Sequence, residues 1–334
     1  MNILITGSAG FIGFHIAKKL LANKKLKVIG IDNINSYYDK NIKKNRNKIL
    51  KKNKNYIFFK LDLNNFEKIK LKLKNYKVDI IIHLAAQAGV RYSLVEPRKY
   101  LNSNIVSTFN ILEIARIKKS KHTLVASSSS VYGMASNPFK ENLSANHPIQ
   151  FYAATKKSAE IICHSYSELH NLPISCLRYF TVYGPFGRPD MALFKFVSNI
   201  KNKKKIDVYN KGTHQRDFTY IDDAVYYTLK LMNIYPKVIS NWKWNNSNNH
   251  ISKAPFRIVN IASGKKISLK KFINEIEKNL NIKAKKNYLS LQKGDMENTF
   301  ASIKLLISLV KKRKYTPIKK GIKNFIKWHN NYYK

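Results

Sequence analysis

The chain has 334 residues, with 62 Lys and Arg against 19 Asp and Glu and a formal net charge of +43. That length accommodates one large core or two moderate lobes. The lysines are scattered through nearly every segment, interleaved with asparagine and isoleucine, which argues against a basic arm or a nucleic-acid motif and for a solvated surface that attracts small polyanions.

Met1 to Thr6 is a short apolar run that predicts a first strand. It passes directly into Gly7-Ser8-Ala9-Gly10-Phe11-Ile12-Gly13 and then an amphipathic helix over Ile12 to Ala22. Glycines let a backbone approach a pyrophosphate, and the first amides of a helix face its negative charge. Taken alone, the triplet is equally a tight turn. The next apolar run, Lys27 to Ile31, ends in Asp32, where a carboxylate accepts bonds from both hydroxyls of an adenosine ribose and repels a 2'-phosphate; this favours NAD over NADP. Lys43, Lys44 and Arg46 nearby soften that preference. Further strands are predicted at Ile57 to Leu61, Ile80 to Leu84, Thr123 to Ala126 and Ile174 to Leu177, separated by helical stretches such as Tyr100 to Arg116 and Phe151 to His170. The alternation predicts an α/β fold, a Rossmann-like doubly wound parallel sheet. After Tyr183-Gly184-Pro185 the pattern becomes irregular, then helical at Leu269 to Leu280 and Ile318 to Asn330, with an exposed polar loop over Asn241 to Lys253. Residues 1–181 are therefore expected to form a dinucleotide-binding domain. Residues 182–334 are expected to form mainly a smaller C-terminal substrate lobe, with parts of 218–262 returning to the main domain.

Tyr152 and Lys156 stand four apart on the expected helix, so an ammonium is expected beside a phenol, favouring the phenolate. A serine run, Ser127 to Ser130, precedes them. Cys163 and Cys176 and the nine histidines show no ligand spacing, and no metal is expected. Met1 leads straight into the first strand and no apolar segment reaches membrane-spanning length, so neither a signal peptide nor a membrane partner is expected and a cytoplasmic location is.

The densest sequence features are Leu84-Ala85-Ala86-Gln87-Ala88-Gly89-Val90-Arg91-Tyr92-Ser93, Ser127 to Gly133, Tyr152-Ala153-Ala154-Thr155-Lys156, Leu177 to Pro185, Gly187 to Phe194 and Gln215 to Asp223. On these the chain resembles the extended short-chain dehydrogenase/reductase family over nearly its whole length, and within it the 4-epimerases of nucleotide-linked uronic acids. The resemblance implies a retained NAD and interconversion of UDP-glucuronate with UDP-galacturonate by oxidation at C4, rotation of the 4-ketone and hydride return. It assigns Tyr152 as base, Lys156 as its partner and ribose ligand, and Ser128 as a bridge to the 4-oxygen. Cofactor contacts are implied for Gly7, Gly10, Phe11, Ile12, Gly13, Asp32, Asn33, Asp62, Leu63, Leu84, Ala85, Ala86, Gln87, Asn102 and Tyr179, besides Tyr152 and Lys156. Substrate contacts are implied for Phe194 over the uracil, Arg216 on the diphosphate and Asp295 on the uridine ribose. Lys293 and Ser302 depart from the family's pattern near that last residue.

Because a 4-keto uronate loses carbon dioxide readily, its carboxylate must be held at an unproductive angle. Ser129, Thr181 and Arg188 flank the expected sugar pocket and suit that task, with Arg91 a further candidate. The alternatives are that Arg188 only pins its turn through Asp190, that Ser129 only caps backbone groups and that Arg216 only pairs with Asp217. Ser129 and Ser130 stand where dehydrating or decarboxylating relatives carry carboxylates, which argues against both chemistries. Competing readings are a 4-epimerase of UDP-glucose or UDP-N-acetylglucosamine, and a catalytically silent NAD-binding regulator. The family also implies a homodimer through the Tyr100 to Arg116 and Phe151 to His170 helices.

Overall fold

The computed structural model describes residues 1–243, 245, 248–290 and 296–333. The first half supplies β1 (Asn2–Thr6), β2 (Lys27–Asp32), β3 (Tyr56–Lys60), β4 (Ile80–His83), β5 (His122–Ser128) and β6 (Ile174–Tyr179). Beyond them come β7 (Thr181–Tyr183), β8 (Ile206–Tyr209) and β9 (Gln215–Tyr220), after which β10 (Phe256–Ile261) returns to pair with β6. The resulting seven-stranded sheet runs β10-β6-β5-β4-β1-β2-β3 with every pairing parallel. Strand order reverses at β1, whose neighbours are β2 on one side and β4 on the other, and a crevice opens there at the carboxyl ends of the strands. Thr6, Asp32, His83, Ser128 and Tyr179 each end their strand on that one edge.

Both faces of the sheet are buried, and the period-two alternation decides which side chain goes where. Ile3, Ile5, Ile80, Ile82, Leu124 and Leu177 pack with Phe11, Phe14 and Leu20 on one face. Leu4, Ile29, Ile81, Val125 and Cys176 pack with Ile69, Ile111, Leu112 and Cys163 on the other. The first cluster continues through Leu193, Phe194, Phe218, Phe272 and Phe325, so the smaller part is rooted in the same core. There β9 pairs with β7, β11 (Lys266–Ser268) and β13 (Asn298–Thr299), and β8 pairs with β12 (Lys286–Leu289). Among the described residues no helix is long and apolar enough to cross a membrane.

One expected helix is not continuous. Between Pro97–Tyr100 and Ser107–Ile117 the segment Leu101–Val106 is wound as a π-helix. Thr108 donates to the Asn104 carbonyl at 2.6 Å and Ser107 to the Ser103 carbonyl, side-chain bonds that compete with the regular ladder.

Candidate active site

A cavity of about 270 Å³ occupies the crevice. The turn from β1 into the Phe11–Leu21 helix forms its floor, with Gly7, Gly10, Phe11, Ile12 and Gly13 on the wall. A Cβ on Gly13 would collide with the Gly7 carbonyl, so the close turn requires glycine there. Asp32 accepts from the backbone amides of Ala9 at 3.1 Å and Ile34 at 2.8 Å. Burial raises its carboxyl pKa, opposed by those bonds and by Lys43 and Arg46. Asn33 donates to Asp62 at 3.2 Å, and both line the cavity with Leu63, Leu84, Ala85, Ala86 and Gln87. A glycine cradle at a helix N-terminus, followed by a buried carboxylate at the end of the second strand, fits the pyrophosphate and adenosine ribose of a dinucleotide.

Tyr152, Lys156, Ser128 and Tyr179 line the same cavity. Burial raises the Tyr152 phenol pKa, while a hydrogen bond with Ser128 and the Arg188 cation lower it. Lys156 does not turn to the phenol as the spacing predicts. Its Nζ donates to the Ala126 carbonyl at 2.7 Å, and burial pushes its pKa down to about 8. The i,i+4 spacing puts both residues on one face, but the lysine reaches down to the strand and fixes the ammonium at the cavity floor. The cation whose charge acts on the phenol is Arg188.

Arg188 lines this cavity and a smaller one of about 30 Å³, which also touches Thr181, Phe194 and Phe218. Its Nε and Nη2 donate to Asp190 Oδ1 at 3.0 Å and Oδ2 at 2.5 Å. Burial opposes the charge and Asp190 restores it, leaving the guanidinium pKa above its ordinary value. The turn-pinning alternative therefore describes a contact that exists, yet the same side chain also faces both cavities.

Several expected residues lie elsewhere. Asn102 is exposed on the π-helical turn and away from the cavity wall. Ser129 is half-buried in a short turn, Ser129–Tyr132, beside the cavity but not on its wall. Arg91 is exposed and lies over the Tyr209 ring at 4.7 Å. Arg216 donates to the carbonyls of Gln215 at 3.0 Å and Glu297 at 2.9 Å, and is not on the wall of either cavity. Asp295 lies outside the described residues.

Other residues emerge only in three dimensions. Asn104, two positions from the expected Asn102, is buried; its Oδ1 accepts from the Gln87 amide at 2.8 Å and its Nδ2 donates to Thr155 Oγ1 at 2.9 Å. It ties the loop after β4 to the helix that carries Tyr152 and Lys156. His83, pushed down to about 3 by burial, bridges Thr6 Oγ1 at 2.7 Å and Thr108 Oγ1 at 3.1 Å beneath that loop. Lys43 lines the cavity and donates to Asn35 Oδ1 at 2.6 Å. Arg46, fully buried, donates to Ala9 O at 3.0 Å on the glycine turn and to Phe186 O at 2.5 Å on the loop after β7. His15 bonds Pro185 O at 2.9 Å in the same place. The signal for Lys43 and Arg46 was their spacing downstream of Asp32; for Asn104 it was hidden by the neighbouring Asn102 and Asn110.

The comparisons with known proteins agree with this geometry. Residues 3–245 match the family described as NAD dependent epimerase/dehydratase. The chain is 44% identical over 335 residues to Protein CapI of Staphylococcus aureus, covering all of both chains. It is 41% identical over 336 residues to the probable UDP-glucuronate 4-epimerase of Rhizobium meliloti, covering 100% of this chain and 98% of the relative. The crystal structure of the UDP-glucuronic acid 4-epimerase from Bacillus cereus, in complex with UDP-glucuronic acid and NAD, superposes with a TM-score of 0.87 at 32% identity and covers 100% of both chains.

Proposed function

The chain belongs to the NAD dependent epimerase/dehydratase family, and from that premise we propose that it interconverts UDP-glucuronate and UDP-galacturonate by inverting C4. The observation that carries this reading is a tyrosine, a serine and a lysine on the wall of a dinucleotide cavity, with an arginine facing the tyrosine from the side that opens toward Thr181 and Phe194. Bound NAD supplies a hydride acceptor and donor at C4.

In this reading Tyr152 takes the proton from the 4-hydroxyl and later returns it, and Ser128 bridges the phenol and the sugar oxygen. The upward shift of the phenol by burial makes its conjugate base strong, and Ser128 with Arg188 compensates the charge while it exists. Lys156, anchored on Ala126 and on the same cavity wall as Tyr152, would hold a cofactor ribose with its remaining donors. Thr181 and the Arg188 guanidinium receive the uronate carboxylate, with Ser129 behind them, and Phe194 covers the uracil. Ser129 and Ser130 place no carboxylate on the shelf, so neither elimination of water nor loss of carbon dioxide finds an acid or base there. Arg216 and Asp295 are assigned to the diphosphate and the uridine ribose. Residues 1–181 are assigned to the dinucleotide and 182–334 mainly to the UDP-sugar; the stretch 218–262 supplies β10 to the main sheet.

A homodimer through the Ser107–Ile117 and Phe151–His170 helices is part of the proposal. Phe109, Ile117, Phe151, Ile161 and Leu169 are exposed on them, Leu169 to 72%. We assign no nucleic-acid partner to the dispersed positive charge, and a cytoplasmic setting to the two free thiols. The decisive experiment incubates purified protein with UDP-glucuronate, without added NAD, and chromatographs for UDP-galacturonate. Parallel incubations with UDP-glucose and UDP-N-acetylglucosamine decide the sugar: turnover of either in preference to the uronate overturns the assignment.

A further inference from the structure

Tyr37 lies on the loop that leaves β2, five residues past Asp32, and lines the dinucleotide cavity. Its ring packs against Tyr92 with centroids 5.1 Å apart. Below it is Gly89, at φ +98°, where any Cβ would collide with the tyrosine hydroxyl. Seated there, the phenol donates to Asp190 Oδ2 at 3.1 Å. Asp190 in turn accepts the Nε and one Nη2 proton of Arg188. That uses one edge of the guanidinium. The opposite edge, Nη1 with the second Nη2 proton, has no partner among the described residues and belongs to a side chain on the wall of both cavities.

We infer that Tyr37 and Asp190 are positioning residues that aim the free fork of Arg188 at the sugar's carboxylate, an inference that rests on the uronate reading above. Asp190 cancels the net charge of Arg188, so the fork recognises a carboxylate by direction, through two parallel N–H donors, and not by bulk attraction. Direction matters because the 4-ketone is a β-keto acid. When its C5–C6 bond aligns with the carbonyl π system that bond breaks, carbon dioxide leaves, the electron pair forms the C4–C5 enolate, and a proton from water completes a 4-keto pentose. No other reactant is consumed. The angle of the carboxylate therefore divides epimerisation from loss of carbon. Arg188 sets that angle, Asp190 sets Arg188, and Tyr37 sets Asp190 from the far side of the cofactor cavity.

Tyr37→Phe tests this, because the ring keeps its contacts with Tyr92 and Gly89 while the hydroxyl is removed. NAD content, KM, kcat and the release of labelled carbon dioxide from UDP-glucuronate labelled at C6 are measured together. The expected result is unchanged NAD content, kcat within about twofold of wild type, and a roughly tenfold rise in both KM and the decarboxylated fraction. Asp190→Asn moves the same two quantities further. The inference is overturned if the wild type turns over UDP-glucuronate and both variants match it in KM and carbon dioxide release, or if every change tracks a loss of bound NAD. A wild type inactive on UDP-glucuronate brings down the uronate reading itself, and this inference with it, which separates the two failures.

Discussion

Two arginine–carboxylate pairs share a two-bond geometry and differ in how far each is sealed from solvent. Arg178 and Glu160 meet through two bonds of 2.8 Å, with side chains 1% and 2% exposed. Glu160 also accepts the Ser127 hydroxyl at 2.6 Å, and Arg178 lies over the Tyr132 ring at 4.5 Å. Burial pushes the Glu160 carboxyl up, but Arg178, Lys157 and Ser127 bring it below its ordinary value. Arg188 and Asp190 make a similar two-bond pair, yet their side chains are 22% and 23% exposed and one edge of the guanidinium faces open space. A pair of this geometry is a brace when sealed and a recognition device when one edge is left over. Fork shape alone does not distinguish them.

The largest effect is expected outside both pairs. Tyr152→Phe, which keeps the ring edge-on to Tyr100 at 6.0 Å, is expected to lower kcat by about 10²–10⁴-fold with little change in melting temperature, as steady-state kinetics and thermal unfolding would show. If activity survives, neither pair is arranged around chemistry at that oxygen. Next comes the brace: Glu160→Gln leaves the Arg178 charge buried without its counter-ion and is expected to destabilise by ~3–5 kcal/mol in denaturant titration. Asp190→Asn, at a side chain 23% exposed, should change stability by no more than about 1 kcal/mol. Equal losses for the two would mean that both pairs serve as braces. Arg188→Ala is expected to reduce kcat/KM for UDP-glucuronate by roughly 10–100-fold, through loss of charge-assisted bonds, while leaving bound NAD in place. An unchanged KM with an unchanged decarboxylated fraction would show that the open edge binds nothing.

The remaining expected effect concerns acid. His83 and His122 are pushed down to about 3, and His15 to about 4, in each case chiefly by burial. Their folded values lie below the unfolded value near 6.5, so between pH 6.5 and 4 the unfolded chain binds more protons than the folded one and stability falls as pH falls. Each group contributes about 1.4 kcal/mol per pH unit in that window. A melting temperature that stays flat from pH 7 to 5 would contradict burial of these three histidines in their neutral form.

Much of the fold was legible because strand and helix patterns alternate cleanly. Phe151–His170 and Leu269–Leu280 run between the same residues in sequence and structure. The Lys40–Lys51 helix was not legible, since its inward face is Lys43, Arg46 and Asn47 beside two apolar residues, a pattern that reads as surface until the cavity and the Phe186 loop supply partners. The Tyr100 to Arg116 stretch reads as one helix because backbone competition from Ser107 and Thr108 leaves the hydrophobic spacing nearly intact. At the site, residues fixed by local turns, Gly7 to Gly13 and Asp32, fell where spacing put them. Lys156, fixed by a distant partner, did not, since it meets Ala126 across 30 positions, and the meeting of Tyr37 with Asp190 across 153 left no local signal. The i,i+4 rule gives adjacency on a helix face, not the direction in which a four-carbon arm extends.

Arg46 carries one last consequence. By clasping Ala9 on one side and Phe186 on the other from a fully desolvated position, it welds the glycine turn to the loop after β7. Turn and loop are thereby fastened as one piece, so that part of the wall yields only if both shift together.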